Sequence, residues 1–280
     1  MNSVPNLLRL LVVLILALAV AGCASWRDDP TRDWSASQLY GEAKKALNDG
    51  NYDQAVEYYE LLEARYPFGR FAQQAQIEIP YAYYKAGEPE AALAAVDRFV
   101  QLNPRHPHLD YAYYLRGLIN FNRQQGFMSR LFPMDPAEMD PEPLDRAFHD
   151  FDRLLREFPD SRYAADSHQR MVFIRNTLAA HELNVAEFYM ERTAWVAAAE
   201  RARHVVATYP GAESIPRALG VLHRAYGELG LTEHAESTMA VLELNYPEAA
   251  VAVRAGRPIT TDDDPQGLWR VFERLPFFTN

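Results

Sequence analysis

Five times in this chain an apolar run ends in an aromatic or polar residue followed by proline: Tyr66-Pro67, Asn103-Pro104, Phe158-Pro159, Tyr209-Pro210 and Tyr246-Pro247. The prolines stand 37, 55, 51 and 37 residues apart. Proline cannot continue a helix and pushes the residue before it toward extended backbone, so each pair predicts the close of a helix. Closure at a recurring interval is the mark of a repeat architecture, in which each unit buries its apolar face only against its neighbours. The two outer spacings fit a unit of about 34 residues with short insertions, and the two inner ones require a further helix or loop each.

Placed at the end of such units, the prolines bring the chain into phase with the tetratricopeptide repeat, which these stretches resemble. In the first unit Ala43, Gly50, Tyr52, Ala55 and Tyr59 fall at the small, turn, aromatic, small and aromatic positions. The second supplies Tyr83, Gly87, Ala92 and Val96, and the third Gly117, Ala147 and Phe151. The fourth supplies Ala186, Tyr189, Trp195 and Ala198, and the fifth Tyr226, Gly230, Ala235 and Met239. Small residues let the two helices of a hairpin approach closely while large ones fill the gap beside them. The expected fold class is all-α, a helical-hairpin solenoid of about five tetratricopeptide-type repeats without strands. Gly50, Gly87 and Gly230 stand where a left-handed cap ends a first helix. Pro89 fits a helix start, and Ser214 and Thr232 are expected N-caps.

The phase divides the chain. Residues 35–160 hold repeats one to three, interrupted by a long proline-rich insertion at 124–143. Residues 161–181 form an amphipathic connecting helix, and residues 182–247 hold repeats four and five. Residues 248–280 read as a linker with an Asp262-Asp263-Asp264 run and a tail. In that tail Leu268, Trp269, Val271, Phe272 and Leu275 make a short apolar helix face that needs a surface to dock on.

At the N-terminus Arg9 precedes an unbroken apolar run from Leu10 to Ala21, then Gly22 and Cys23. This is the layout of a secretory signal peptide, and the run falls short of the ~20 residues that span a bilayer, so residues 1–22 are expected to be cleaved. Val20-Ala21-Gly22-Cys23 resembles the bacterial lipobox, whose cysteine becomes the acylated first residue of the mature protein. Cys23 is the chain's single cysteine, so a disulfide has no partner and lipidation gives the thiol a purpose. N-acyl and S-diacylglycerol chains on Cys23 are the only prosthetic groups expected. The residue after the cysteine, Ala24, is not the aspartate that retains this lipoprotein class at the inner membrane. The resemblance therefore implies a lipid-anchored protein on the periplasmic face of the outer membrane, joined to its repeats by a tether at 23–34.

A net charge of -10 argues against a nucleic-acid binder, which needs a basic stripe. No GxSxG elbow, P-loop, HExxH pair or dinucleotide glycine fingerprint occurs, and the histidines are scattered, with His106 and His108 flanking a proline. Neither a catalytic centre nor a metal site is expected, which leaves binding. Tyr81 with Tyr84, and Tyr111 with Tyr114 and Phe121, recur at spacings that share a helical face. An apolar ring with a polar tip suits the grip of an extended peptide; the same spacing also fits hairpin core with satisfied hydroxyls. Lys44 and Asn48, one turn apart, suit a bound peptide's carboxylate, but the two-carboxylate clamp of cytosolic chaperone adaptors is not reproduced.

Three stretches carry a closer resemblance: YAYYKAGEPEAALAAVDRFVQLNPRHPHLDYAYYLRGL (Tyr81 to Leu118), RAFHDFDRLLREFPDS (Arg146 to Ser161) and VAEFYMERTAWVAAAERARHVVATYP (Val185 to Pro210). With the lipobox and five units in order, the chain is similar to the BamD family, also called ComL or YfiO, over roughly residues 20 to 250. The resemblance implies a scaffold subunit of the outer-membrane β-barrel assembly machine. It further implies N-terminal repeats that receive the targeting strand of unfolded outer-membrane proteins. The C-terminal repeats would dock a POTRA domain of the barrel subunit BamA, with BamC as an accessory lipoprotein. On this chain the implied substrate groove is Tyr40, Lys44, Tyr81, Tyr84, Tyr114 and Phe121, and the implied barrel-subunit contact is Arg192, Trp195, Arg201 and Arg224. A periplasmic tetratricopeptide lipoprotein that coordinates peptidoglycan synthesis or cell division shares the anchor and repeats and is the alternative.

Overall fold

The computed structural model of the chain describes residues 29–123, 135–257 and 259. Among these residues the only regular elements are helical. They are α1 (Ala36–Asn48), α2 (Tyr52–Arg65), α3 (Arg70–Ala86), α4 (Pro89–Leu102), α5 (Leu109–Asn122), α6 (Glu142–Glu157), α7 (Ala164–Glu191), α8 (Trp195–Thr208), α9 (Ile215–Glu228), α10 (Thr232–Asn245) and α11 (Pro247–Arg254), with a 3-10 turn at Pro136–Glu138. The chain divides into two compact units, residues 1–75 and 76–280.

The proline punctuation is realised at all five positions. Tyr66, Asn103, Phe158, Tyr209 and Tyr246 each cap a helix, with φ between -117° and -140° and ψ between 56° and 65°. Their backbone lies outside the helical region, where the following proline ring forces it. Within hairpins, Gly50, Gly87 and Gly230 carry positive φ. In each case the next residue's N–H closes a wide loop onto the last turn, Asn51 to Ala46 O, Glu88 to Tyr83 O and Leu231 to Tyr226 O. The α7–α8 hairpin makes the same closure with a threonine: Thr193 has φ 57°, and Ala194 N–H reaches Tyr189 O.

The first unit packs α1 against α2 through Leu39, Ala43, Ala55, Tyr59 and Leu62, all fully buried. In the second unit two cores follow one another. One joins α4, α5, α6 and the first half of α7; the other joins the second half of α7 to α8, α9, α10 and α11. The small positions are contacts: a Cβ on Gly117 would lie 2.5 Å from the fully buried ring of Phe151.

Four expectations are corrected. The connecting helix of residues 161–181 and the first helix of the fourth repeat are one element, α7, because no glycine or proline interrupts Ala164–Glu191. Its flank places Phe173, Ile174 and Leu178 in the first core and Leu183, Ala186 and Met190 in the second. Pro247 opens a helix as well as closing one, so the expected linker begins as α11; proline at the first helical position loses no hydrogen bond. Thr232 is the first residue of α10, not its cap, and Ser214 occupies the cap of α9 without a side-chain bond, whereas Ser35 and Gln38 form a full capping box on α1. Finally, the last part of the 23–34 tether is folded: Thr31 is buried, and Arg65 donates to the Asp29 carboxylate and the Thr31 carbonyl. The insertion's far end is fixed too, since His181 Nδ1–H donates to Ala137 O at 2.9 Å.

Candidate binding surfaces

In the first unit Tyr40 is half-buried between Tyr59 and Phe71, with ring centroids 6.2 and 5.5 Å away. Lys44, one turn on, is also half-buried. Beside them the N-terminal segment is held by Trp34, whose ring lies 5.5 Å from Tyr58 and whose carbonyl accepts from the Tyr66 hydroxyl at 2.8 Å. The hydroxyl and N–H of Thr31, aided by the Arg65 charge, hold the Asp29 carboxyl below the usual carboxylate range. The turn after this clip presents Phe68 at 90% exposure, the most exposed of the large apolar side chains described.

In the second unit the aromatic set separates by depth. Tyr81 and Tyr84 on α3 are half-buried, and Asn122 donates to the Tyr84 hydroxyl at 2.7 Å. Tyr114 and Phe121 are core, at 2% and 1% exposure, which corrects their assignment to a groove. Tyr114 stacks on Tyr163 at 4.5 Å and donates to Asp166 Oδ2 at 2.9 Å. Phe121 meets Phe173 edge-on at 5.7 Å and lies under Arg170, which is fully buried and paired with Asp166 at 2.6 Å. These two residues fasten α5 to α7 and are not offered to a ligand. Burial raises the hydroxyl pKa of Tyr111, Tyr114, Tyr113 and Tyr163. On the other side of α5, Arg116 binds Asp97 and Asp150 at 2.7 and 2.6 Å and ties α4, α5 and α6 together.

The four candidates for a partner contact occupy three positions. Arg192 and Trp195 flank the α7–α8 turn, with the Arg192 guanidinium over the Phe188 ring at 3.5 Å and Trp195 half-buried against the second core. Arg201 reaches from α8 to Glu182 on α7 at 2.8 Å, so it braces the hairpin while remaining accessible. Arg224 is exposed on α9. Earlier on the same helix Arg217 grips both oxygens of Glu187 at 2.8 Å.

A family model described as "YfiO: Outer membrane lipoprotein" matches residues 32–242. The chain belongs to the YfiO family. Among curated relatives, the outer membrane protein assembly factor BamD of Neisseria meningitidis serogroup A is 41% identical over 267 residues, covering 94% of this chain and 98% of that protein. The BamD protein of Vibrio cholerae is 41% identical over 232 residues, covering 82% and 96%. A solved tetratricopeptide repeat protein of Parabacteroides merdae is 15% identical, with a TM-score of 0.38 and coverage of 88% and 87%.

Several surface features of this YfiO-family chain carry no mark in its sequence pattern. Phe68 reads as punctuation around Pro67, although an aromatic between proline and glycine has no helix face on which to bury. Phe188, Val196, Val241, Leu244 and Val251 are exposed apolar residues near the α7–α8 turn and on the last two helices. In α10, Ala235 and Leu242 are the buried positions, so its remaining apolar residues have no helical stripe to flag them. Cys23 lies outside the described residues. No helix among those described is long and apolar enough to cross a membrane.

Proposed function

We propose that this chain is a non-catalytic scaffold of the outer-membrane β-barrel assembly machine, receiving unfolded outer-membrane proteins and coupling them to the barrel subunit. The observation that carries this is the 41% identity to the BamD assembly factor across nearly the whole of both chains. The architecture supports the role: helices pinned by prolines and buried ion pairs hold aromatic and cationic side chains at fixed places, as recognition of an extended chain requires. The client-contacting candidates are Tyr40, Lys44 and Phe68 on the first unit and, taken by themselves, Tyr81 and Tyr84 on the second. Arg192, Trp195, Arg201 and Arg224 meet a POTRA domain of the barrel subunit, and a BamC-type lipoprotein joins as an accessory.

Acyl chains on Cys23 hold the protein to the periplasmic face of the outer membrane. Six residue steps separate Cys23 from Asp29, where the chain is clipped to α2, so at most about 20 Å of extended tether lies between lipid and fold. The first hairpin therefore works close to the bilayer. Depletion of the protein from its own cells tests the proposal. Folded, heat-modifiable barrel proteins are expected to fall while their precursors accumulate in the periplasm; unchanged barrel levels with disturbed cell-wall synthesis would overturn it.

A further inference from the structure

The N-terminal segment joins the first unit close to Phe68. Arg65, the last residue of α2, holds Asp29, and the Tyr66 hydroxyl donates to the Trp34 carbonyl at 2.8 Å, so the segment is fastened to the end of that helix. Phe68, at 90% exposure, follows Arg65 by three residues, at most about 10 Å of chain. Pro67 before it and Gly69 after it, with φ 103°, keep this stretch out of a helix. A Cβ added at Gly69 would meet no described atom within 4 Å beyond its chain neighbours, so the tip of the hairpin faces open space. The side chains around it are those of a boundary between water and lipid. Tyr66 is 37% exposed, Trp34 lies half-buried with its ring 5.5 Å from Tyr58, and Arg70 is exposed with its guanidinium over the Phe71 ring at 4.7 Å. Aromatic rings with a polar edge settle at the headgroup level of a bilayer, and a guanidinium matches a phosphate. Residues 65–71 hold two arginines and no carboxylate, in a chain of net charge -10.

We infer that this tip, Phe68 with Tyr66, Trp34 and Arg70, rests in the headgroup layer of the membrane, Phe68 reaching the acyl chains and Arg70 the lipid phosphates. The inference rests on acylation of Cys23, which brings a bilayer within about 20 Å of Asp29. A tether of that length keeps lipid beside the tip at all times, whereas any protein partner must first arrive. Charge and apolarity both favour that occupant. The hairpin is thereby held at two points, by its acyl chains and by its exposed ring. Phe68, a client contact as well, receives the targeting strand at the lipid surface.

Photocrosslinking of the purified full-length lipoprotein, reconstituted alone into vesicles of phosphatidylethanolamine and phosphatidylglycerol, tests it. The photoreactive p-benzoylphenylalanine in place of Phe68 keeps an aromatic ring at the tip. It is compared with the same group in place of Asp49, at the opposite end of α2 and about 20 Å away. On irradiation, position 68 is expected to gain the mass of one phospholipid about tenfold more often than position 49. Arg70→Glu in the same chain is expected to lower that yield about threefold. Equal yields at the two positions would overturn the inference, as would a covalent dimer in place of the lipid adduct, which reports a second copy. A yield unchanged by Arg70→Glu would overturn the phosphate contact. Flotation of the vesicles separates the two readings. A chain that does not float refutes the anchor and the inference with it, whereas one that floats without a lipid adduct at position 68 refutes the inference alone. Phe68, Asp49 and Arg70 are all exposed, and unchanged far-ultraviolet helicity verifies that each variant folds.

Discussion

Single atoms decide how closely the hairpins pack. Gly117 faces the Phe151 ring with no room for a methyl group, and Phe151 is itself enclosed. Gly117→Ala is therefore expected to lower stability by about 1–3 kcal/mol, the range for overpacking a closed core, read as a lower denaturant midpoint with unchanged slope. Thr193 tells the opposite story. It takes the left-handed position that glycine holds in three other hairpins, and it is β-branched and exposed. Thr193→Gly removes that strain and is expected to stabilise the protein by about 1 kcal/mol, net of the greater freedom glycine gives the unfolded chain; thermal unfolding measures it. Both sites leave a trace in the sequence, Gly117 as a small position and Thr193 only by its failure to be glycine at the turn after Tyr189.

Whole helices were legible where their ends are written in local chemistry. Proline after an aromatic residue and glycine after a helix act on their own backbone, so all five closures and three turns could be read directly. The continuity of α7 was equally written, in the absence of a breaker, but a boundary borrowed from the repeat template obscured it. What could not be read was depth. Tyr81 with Tyr84 and Tyr114 with Phe121 have helical spacing alike, yet α7 covers the second pair, and that cover comes from residues some fifty positions away, such as Asp166 and Phe173. The clip of Asp29 to Arg65 is hidden for the same reason.

Two predictions belong to these helix contacts. Asp166 is the counter-charge of a wholly buried Arg170, so Asp166→Ala is expected to cost about 3–5 kcal/mol, the penalty for stranding a buried charge. Chemical denaturation of the variant checks it, and a loss below about 1 kcal/mol would show the pair to be dispensable. The buried tyrosines of α5, with Tyr163, carry folded-state pKa values raised by burial. The folded chain therefore keeps protons that the unfolded chain gives up. Their stabilising effect is complete below the unfolded value of about 10 and is lost as pH rises above it. The melting temperature should fall steeply above about pH 10, and tyrosinate absorbance should appear together with unfolding instead of ahead of it.

At the scale of the whole molecule, a chain of stacked hairpins suits a scaffold because each repeat needs only its neighbours for stability and leaves its remaining faces for partners. The family was legible in sequence because its repeats are long and their order is fixed. The contact residues were less so, because a surface arginine looks alike whether it braces a hairpin, as Arg201 does on Glu182, or waits for a partner. The central claim is membership of a barrel-assembly machine, and native purification of the membrane-solubilised lipoprotein with identification of its stoichiometric partners tests it most directly. Membership predicts recovery of a POTRA-bearing outer-membrane barrel, lost in the surface variant Arg192→Glu/Arg224→Glu. Recovery of a cell-wall synthase with no barrel protein would contradict it.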